Sequence, residues 1–141
     1  MQPFKIETRE QYDLCKAHRI EPLIDKRFPM AISLRKEVQR ELFGKGHTPE
    51  ENEKFYRFCW KVYPHICQEC MKPLHEYSAV YVSHILTRGA NPELAHDPRN
   101  VNILCFRCHS TWENGRRENM RIYLSNQSKI EHLRNEYQEK L

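Results

Sequence analysis

The chain has 141 residues, 30% of them charged, and a mean hydropathy of −0.85. Such a polar composition predicts one small core with extensions, stabilised by an additional element such as a bound metal. No apolar run approaches the roughly 18 to 20 residues that span a bilayer, and residues 1–10 contain no apolar signal segment, so we expect no membrane association and a cytoplasmic location. The formal net charge of +4 is compatible with nucleic-acid binding but does not by itself indicate it.

Residues 1–48 are predicted to form a charged, partly helical N-terminal extension. A short helix can form over residues 9–18, and the prolines of the first 30 residues favour irregular structure around it. A second helix is predicted by the helical spacing of Leu34, Val38 and Leu42. Gly44 follows this pattern at a position where glycine commonly ends a helix.

The main domain is predicted to span residues 49–141 and to open with a well-defined helix. Thr48-Pro-Glu-Glu51 has the pattern of a capping box with proline at the first helical position. Pro64 would end this helix. Helical spacing places four apolar residues on one stripe, and these are Phe55, Phe58, Cys59 and Val62.

The following segments predict a strand–loop–strand–helix order. Residues 76–83 are rich in β-branched and aromatic residues, which favours a strand, and residues 87–99 have the glycine and prolines of a loop. A short second strand is expected over residues 101–104, followed by a helix over about residues 106–115. Further helices are expected over residues 117–140, with Ile130, Leu133, Tyr137 and Leu141 on one apolar face and Met120, Tyr123 and Leu124 on another. The predicted fold class is therefore α+β, a ββα core with flanking helices.

Four of the six cysteines occur as two Cys-x-x-Cys pairs, a spacing that points two thiolates at one metal ion. These four are Cys67, Cys70, Cys105 and Cys108. A four-thiolate zinc site is closed to water and substrate, so its role would be structural. The spacing is also compatible with iron, and a disulfide framework remains the alternative for a secreted chain. Cys15 and Cys59 are left over, and Cys59 is expected to be a small buried apolar residue.

Between and after these pairs lie His84, Asn100 and His109, of which His109 directly follows the last cysteine. The complete ordered pattern resembles the HNH endonuclease family, whose catalytic unit is the ββα-metal motif. The resemblance covers roughly residues 64–115. It implies a metal-dependent DNA endonuclease with a four-cysteine structural zinc site and DNA as the partner.

The resemblance also implies a role for each of His84, Asn100 and His109. His84 would be the general base, Asn100 would orient His84 or brace the loop, and His109 would bind a catalytic Mg²⁺ or Mn²⁺. Many members of the family carry Asp or His directly before the general base, where this chain has Ser83, a weaker ligand for a hard cation. Either His109 holds the metal together with water and phosphate oxygens, or another residue substitutes for that ligand. The possible substitutes are Asn102, His96 and Asp97.

Arginines close to the motif are the expected contacts to nucleic-acid phosphates, and Arg88, Arg99 and Arg107 are the first candidates. Arg116, Arg117 and Arg121 follow the motif helix, and Trp112 is expected to pack beneath that helix. A non-catalytic zinc-binding nucleic-acid module is the alternative function, and Ser83 favours it. A thiol redox protein is disfavoured because the cysteine pairs lack a βαβ context.

Overall fold

The computed structural model describes residues 36–139; the helix expected over residues 9–18, together with Cys15, lies outside them. Two short antiparallel strands pair so that Ser83 lies opposite Asn102. The α+β prediction, with a ββα core and flanking helices, is confirmed. In chain order the elements are α1 (Lys36–Phe43), α2 (Pro49–Val62), β1 (Val82–His84), β2 (Val101–Ile103), α3 (Phe106–Asn114) and α4 (Tyr123–Glu139). Within residues 36–139, no helix is long and apolar enough to cross a membrane.

The turn between α1 and α2 follows from the predicted capping box. The Thr48 hydroxyl accepts a hydrogen bond from the Glu51 backbone N–H at 3.2 Å, and the Glu51 carboxylate accepts one from the Thr48 backbone N–H at 3.0 Å. Gly44 ends α1 with φ at +102°, and a Cβ atom there would lie 1.6 Å from the Glu51 carboxylate. Glycine is therefore required for this tight connection.

The helices α1 and α2 share one apolar core. The Phe43 ring packs edge-on against the rings of Phe55 and Phe58, at centroid distances of 5.2 and 5.3 Å. The whole predicted α2 stripe is buried, including Cys59 at 0% exposure. Residues 36–43 thus pack against the helix that opens the main domain.

The first strand is shorter than the sequence predicts. Residues 79–81 form a 3₁₀ turn, capped by the Ser78 hydroxyl, which accepts from the Val80 backbone N–H at 3.3 Å. β2 has only three residues, so it pairs with Val82–His84 and offers no partner strand to the preceding residues. The prediction of a strand beginning at residue 76 is therefore wrong, because β-propensity does not reveal the length of the partner.

The C-terminal segment contains one long helix, α4, preceded by a 3₁₀ turn at residues 117–119. Ile130 and Leu133 are buried as predicted. Leu124, which was expected on a second apolar face, is 78% exposed, so that part of the prediction is wrong.

A buried ion pair ties α4 to the loop before β2. The Arg99 guanidinium bonds the Asp97 carboxylate at 2.8 Å and the Glu136 carboxylate at 2.6 Å, and Arg99 and Asp97 are 4% and 0% exposed. The Tyr137 hydroxyl donates a further hydrogen bond to Asp97 at 2.9 Å. Glu136 and Tyr137 both belong to α4, and they bond to Arg99 and Asp97, respectively. Asp97 and Arg99 therefore anchor the C-terminal helix.

Replacing Arg99 with alanine is expected to lower the free energy of unfolding by about 3 kcal/mol, because the Asp97 carboxylate would stay buried without its cation. Chemical denaturation followed by circular dichroism measures this loss. Arg57→Ala is the matched control: its 3.0 Å pair with Glu53 is largely exposed, so the expected loss is below about 1 kcal/mol. Equal losses in the two variants would contradict a stabilising role for the buried pair.

Candidate functional site

Four cysteines form a cluster where the turn at residues 67–70, here called the first knuckle, meets β2 and α3. All four sulfur atoms lie within 4.8 Å of one another, and those of Cys70 and Cys105 are 3.8 Å apart. A tetrahedral zinc ion with Zn–S bonds of about 2.3 Å requires sulfur–sulfur separations of about 3.8 Å, so the cluster fits zinc. The four residues are Cys67, Cys70, Cys105 and Cys108.

The backbone around this cluster explains what a bound zinc would hold together. The Gln68 N–H donates to the Ile103 carbonyl at 2.8 Å, which joins the first knuckle to β2. Cys105 occupies the N-cap position of α3, so the second pair lies at the start of that helix. Zinc at this point would fix the start of α3 relative to the two-stranded sheet, and its role would be structural.

A separate open cavity of about 1010 Å³ lies against β1, α2 and α3. His84 reaches it from the end of β1, and His109 reaches it from the first turns of α3. Arg88, Glu113 and Arg117 supply its charged lining. The structure thus brings the two predicted histidines to the same cavity.

His84 is held in a defined tautomer. Its Nε2 atom lies 2.8 Å from the Ala95 carbonyl oxygen, which can only accept, so Nε2 carries the proton and Nδ1 keeps its lone pair. Burial lowers the pKa of His84 to about 4, and the positive charge of Arg88 acts in the same direction. The imidazole is therefore neutral at pH 7, as a proton acceptor must be.

Asn100 braces the loop around His84. Its Oδ1 atom accepts from the Leu86 backbone N–H at 2.9 Å, and its Nδ2 donates to the carbonyls of Leu86 and Leu94 at 3.0 and 3.2 Å. Asn100 is 0% exposed. Because Leu94 precedes the Ala95 carbonyl that bonds His84, Asn100 contacts the His84 surroundings through the backbone, and its hydrogen bonds go to the loop and not to the imidazole.

Both ring nitrogens of His109 lie within hydrogen-bonding distance of protein atoms. Nδ1 lies against the Val80 carbonyl oxygen, and Nε2 lies 2.8 Å from Oε1 of Glu113, one turn further along α3. The side chain is 17% exposed, so it is accessible from the cavity.

The structure does not support the predicted phosphate contact of Arg99. It is buried with its guanidinium already bound to Asp97 and Glu136. Arg88 lies at the cavity with its guanidinium 6.0 Å from the Tyr56 ring centroid, whereas Arg107 is exposed on α3 outside the cavity lining. Among the three predicted arginines, Arg88 alone lines the cavity.

The three possible substitutes for the metal ligand are all engaged within the fold, which favours none of them as a ligand. His96 is 2% exposed, and its Nε2 atom lies 2.8 Å from the Asn52 side-chain oxygen. Asp97 belongs to the ion pair with Arg99. Asn102 is 2% exposed and bonds the side chains of Gln68 and Asn126, each at 2.8 Å.

Among the other residues that line the cavity, Glu113, His47 and Tyr56 were not selected from the sequence as site residues, whereas Arg117 was named among the arginines that follow the motif helix. Glu113 lies four residues after His109, a spacing that places both on one helix face, so a signal for it was available. The Arg117 guanidinium lies 4.6 Å from the ring centroid of Trp112, which is buried as predicted. His47 and Tyr56 come from outside the motif, and no local pattern marks them.

The zinc-compatible cysteine cluster and the ββα unit with two histidines at its cavity are compatible with a nuclease-type fold that has a metal site. The HNH endonuclease family profile matches residues 67–115, about a third of the chain. The resemblance seen in the sequence is confirmed for this segment, and its four cysteines fit the zinc-binding variant of the family. No curated protein and no solved structure gives a significant match to the chain.

Proposed function

We propose that the protein is a metal-dependent DNA endonuclease that hydrolyses phosphodiester bonds. The observation that best supports this activity is the pairing of a neutral, firmly oriented His84 with His109 in one open cavity of the matched segment. A structural zinc module would need neither histidine in the cavity, whereas phosphodiester hydrolysis uses both a base and a cation ligand.

In this mechanism His84 takes a proton from the attacking water through Nδ1, while Nε2–H stays bonded to the Ala95 carbonyl. Asn100 keeps this arrangement rigid because its side chain bonds to the backbone of both Leu86 and Leu94, in the loop between β1 and β2. His109 would hold the divalent cation through Nε2. When bound, Mg²⁺ or Mn²⁺ would supply positive charge to the phosphate and to the leaving 3′ oxygen.

Relaxation of supercoiled plasmid tests this activity. Full-length, zinc-loaded protein is incubated with the plasmid in Mg²⁺, in Mn²⁺ and in EDTA, and nicked circles are quantified over time. We expect nicking in Mg²⁺ or Mn²⁺ and none in EDTA. Absence of nicking in every metal, from folded protein that still binds DNA, would overturn the endonuclease and support the alternative of a non-catalytic nucleic-acid-binding module. The buried Ser83, in place of a stronger ligand, favours that alternative.

Arg88 and Arg117 are proposed as the phosphate contacts of the cavity, because both guanidinium groups line it beside His84 and Glu113. Each alanine variant is expected to weaken DNA binding and to reduce the slope of log affinity against log salt by about 1, the contribution of one phosphate contact. Fluorescence anisotropy with labelled duplex at several salt concentrations measures both. Arg57→Ala removes an exposed arginine from α2 and should leave the slope unchanged. Equal slopes in all four proteins would place the DNA elsewhere.

A further inference from the structure

Ser83 occupies the chain position where a second metal ligand was expected, but its side chain is turned away from the cavity. The residue is 0% exposed, and its hydroxyl oxygen is buried without a hydrogen-bond partner. It pairs with Asn102 across the sheet and does not line the cavity. Ser83 therefore provides no ligand to a cation held by His109, and any second protein ligand must come from an element other than β1.

Glu113 is the one acidic residue that lines this cavity within the described part of the chain. Its side chain is 55% exposed, so solvent and ions reach the carboxylate. We infer that Glu113, together with His109, forms the protein side of the catalytic cation site and replaces the ligand that Ser83 cannot provide. The inference rests on the proposed function only in giving the cation a catalytic role, because ion binding can be measured without cleavage.

The geometry of the two side chains suits a shared ligand position. The Val80 carbonyl can only accept, so Nδ1 of His109 donates the hydrogen bond between them. The other ring nitrogen, Nε2, lies 2.8 Å from Oε1 of Glu113, and both residues line the cavity. An imidazole nitrogen and a carboxylate oxygen are both common metal ligands, so one cation at the cavity can bind the two.

The helix α3 holds the pair in place. His109 and Glu113 are four residues apart, so both side chains project from one face of the helix. The neighbouring Trp112 is 1% exposed, and its indole N–H donates to the Ile85 carbonyl at 3.3 Å. Cys108, directly before His109, belongs to the zinc-compatible cluster. The rotation of α3 is thereby fixed at both residues that precede the ligands.

One imidazole and one carboxylate suit a divalent cation that keeps several waters and also binds substrate phosphate. Carboxylate and water ligands suit both Mg²⁺ and Mn²⁺. The competing explanation is an ordinary ion pair on a helix surface, which stabilises a helix by only about 0.2–0.5 kcal/mol and binds no metal. The two explanations differ in whether removing the Glu113 charge changes the affinity for Mn²⁺.

The test is Mn²⁺ titration of the full-length, zinc-loaded protein, followed by calorimetry and by loss of the free-Mn²⁺ electron paramagnetic resonance signal. Wild type is compared with Glu113→Gln, His109→Ala and the control Glu118→Gln, which removes an exposed carboxylate just beyond α3. Zinc content and thermal melting confirm that each variant is folded. We expect wild type and Glu118→Gln to bind one Mn²⁺ equally, and Glu113→Gln and His109→Ala to bind at least about tenfold more weakly.

Wild-type affinity in Glu113→Gln, or no Mn²⁺ binding by wild type, would overturn the inference. Plasmid nicking by the same proteins separates this outcome from failure of the proposed function. If wild type nicks DNA while Glu113→Gln retains full Mn²⁺ affinity, the endonuclease stands and the Glu113 assignment falls. If Mn²⁺ binding depends on both residues but wild type does not nick, the cation site stands and the endonuclease falls.

Discussion

His84→Ala should reduce metal-dependent plasmid nicking by about 10²- to 10⁴-fold, the usual contribution of a positioned general base. The loss follows from the proposed role of the imidazole, whose Nε2–H is bonded to the Ala95 carbonyl and whose neutral Nδ1 would accept the proton. DNA affinity should stay within about twofold of wild type, since Arg88 and Arg117 remain in place. Single-turnover nicking in Mn²⁺, with DNA binding measured in parallel, separates the two quantities.

His75→Ala is the matched control for this variant, because His75 is exposed and does not line the cavity. It should nick at the wild-type rate. Nicking by His84→Ala at a rate close to that of His75→Ala would remove His84 from the mechanism. A parallel loss of zinc or of DNA affinity in His84→Ala would indicate a structural role for this histidine.

Cys105→Ser, which removes one of the four cysteines proposed to bind zinc, should abolish the folded ββα unit. Structural zinc sites contribute about 10–16 kcal/mol of apparent binding free energy in small zinc-dependent peptides, whereas a whole domain is stable by only about 5–15 kcal/mol. β1 and β2 have three residues each, so the sheet has few hydrogen bonds of its own, and a bound zinc would contribute much of what holds the first knuckle, β2 and the start of α3 together. We expect loss of bound zinc, loss of cooperative thermal unfolding and loss of every activity.

Cys59→Ala controls for the general effect of removing a cysteine. Cys59 is fully buried in the α2 stripe and lies outside the four-cysteine cluster, so this variant should keep one zinc per chain and a cooperative, modestly lowered melting temperature. Elemental analysis of purified protein measures the metal and distinguishes zinc from iron. If Cys105→Ser in EDTA unfolds cooperatively at the melting temperature of the wild type, the zinc is not structural.

Local signals predicted the helical part of the fold well. The capping box at Thr48 and the buried stripe from Phe55 to Val62 depend on residues within one or two turns, and both are present as expected. The length of β1 depends on a partner about twenty residues later in the chain, and that partner has only three residues. Propensity therefore predicted the position of the strand but overestimated its extent.

The candidate site shows the same division between local and distant information. The order of His84, Asn100 and His109 indicated the family, but the sequence could not show which Asn100 partners brace the loop or which tautomers the imidazoles adopt. Arg99 was chosen for its proximity to the motif, yet one of its two carboxylate partners lies 37 residues away in α4. Glu113 is the opposite case, because its spacing from His109 already placed it on the same helix face.

The most direct measurement of the central proposal is nicking by His84→Gly with and without added imidazole, beside wild type, in Mn²⁺ and in EDTA. If His84 is the base of a metal-dependent endonuclease, wild type nicks in Mn²⁺ alone, His84→Gly is inactive, and free imidazole restores part of its Mn²⁺-dependent activity by entering the vacated cavity. Failure of wild type to nick would contradict the endonuclease. An active wild type, with a folded His84→Gly that nicks as fast without imidazole, would contradict the assignment of the base.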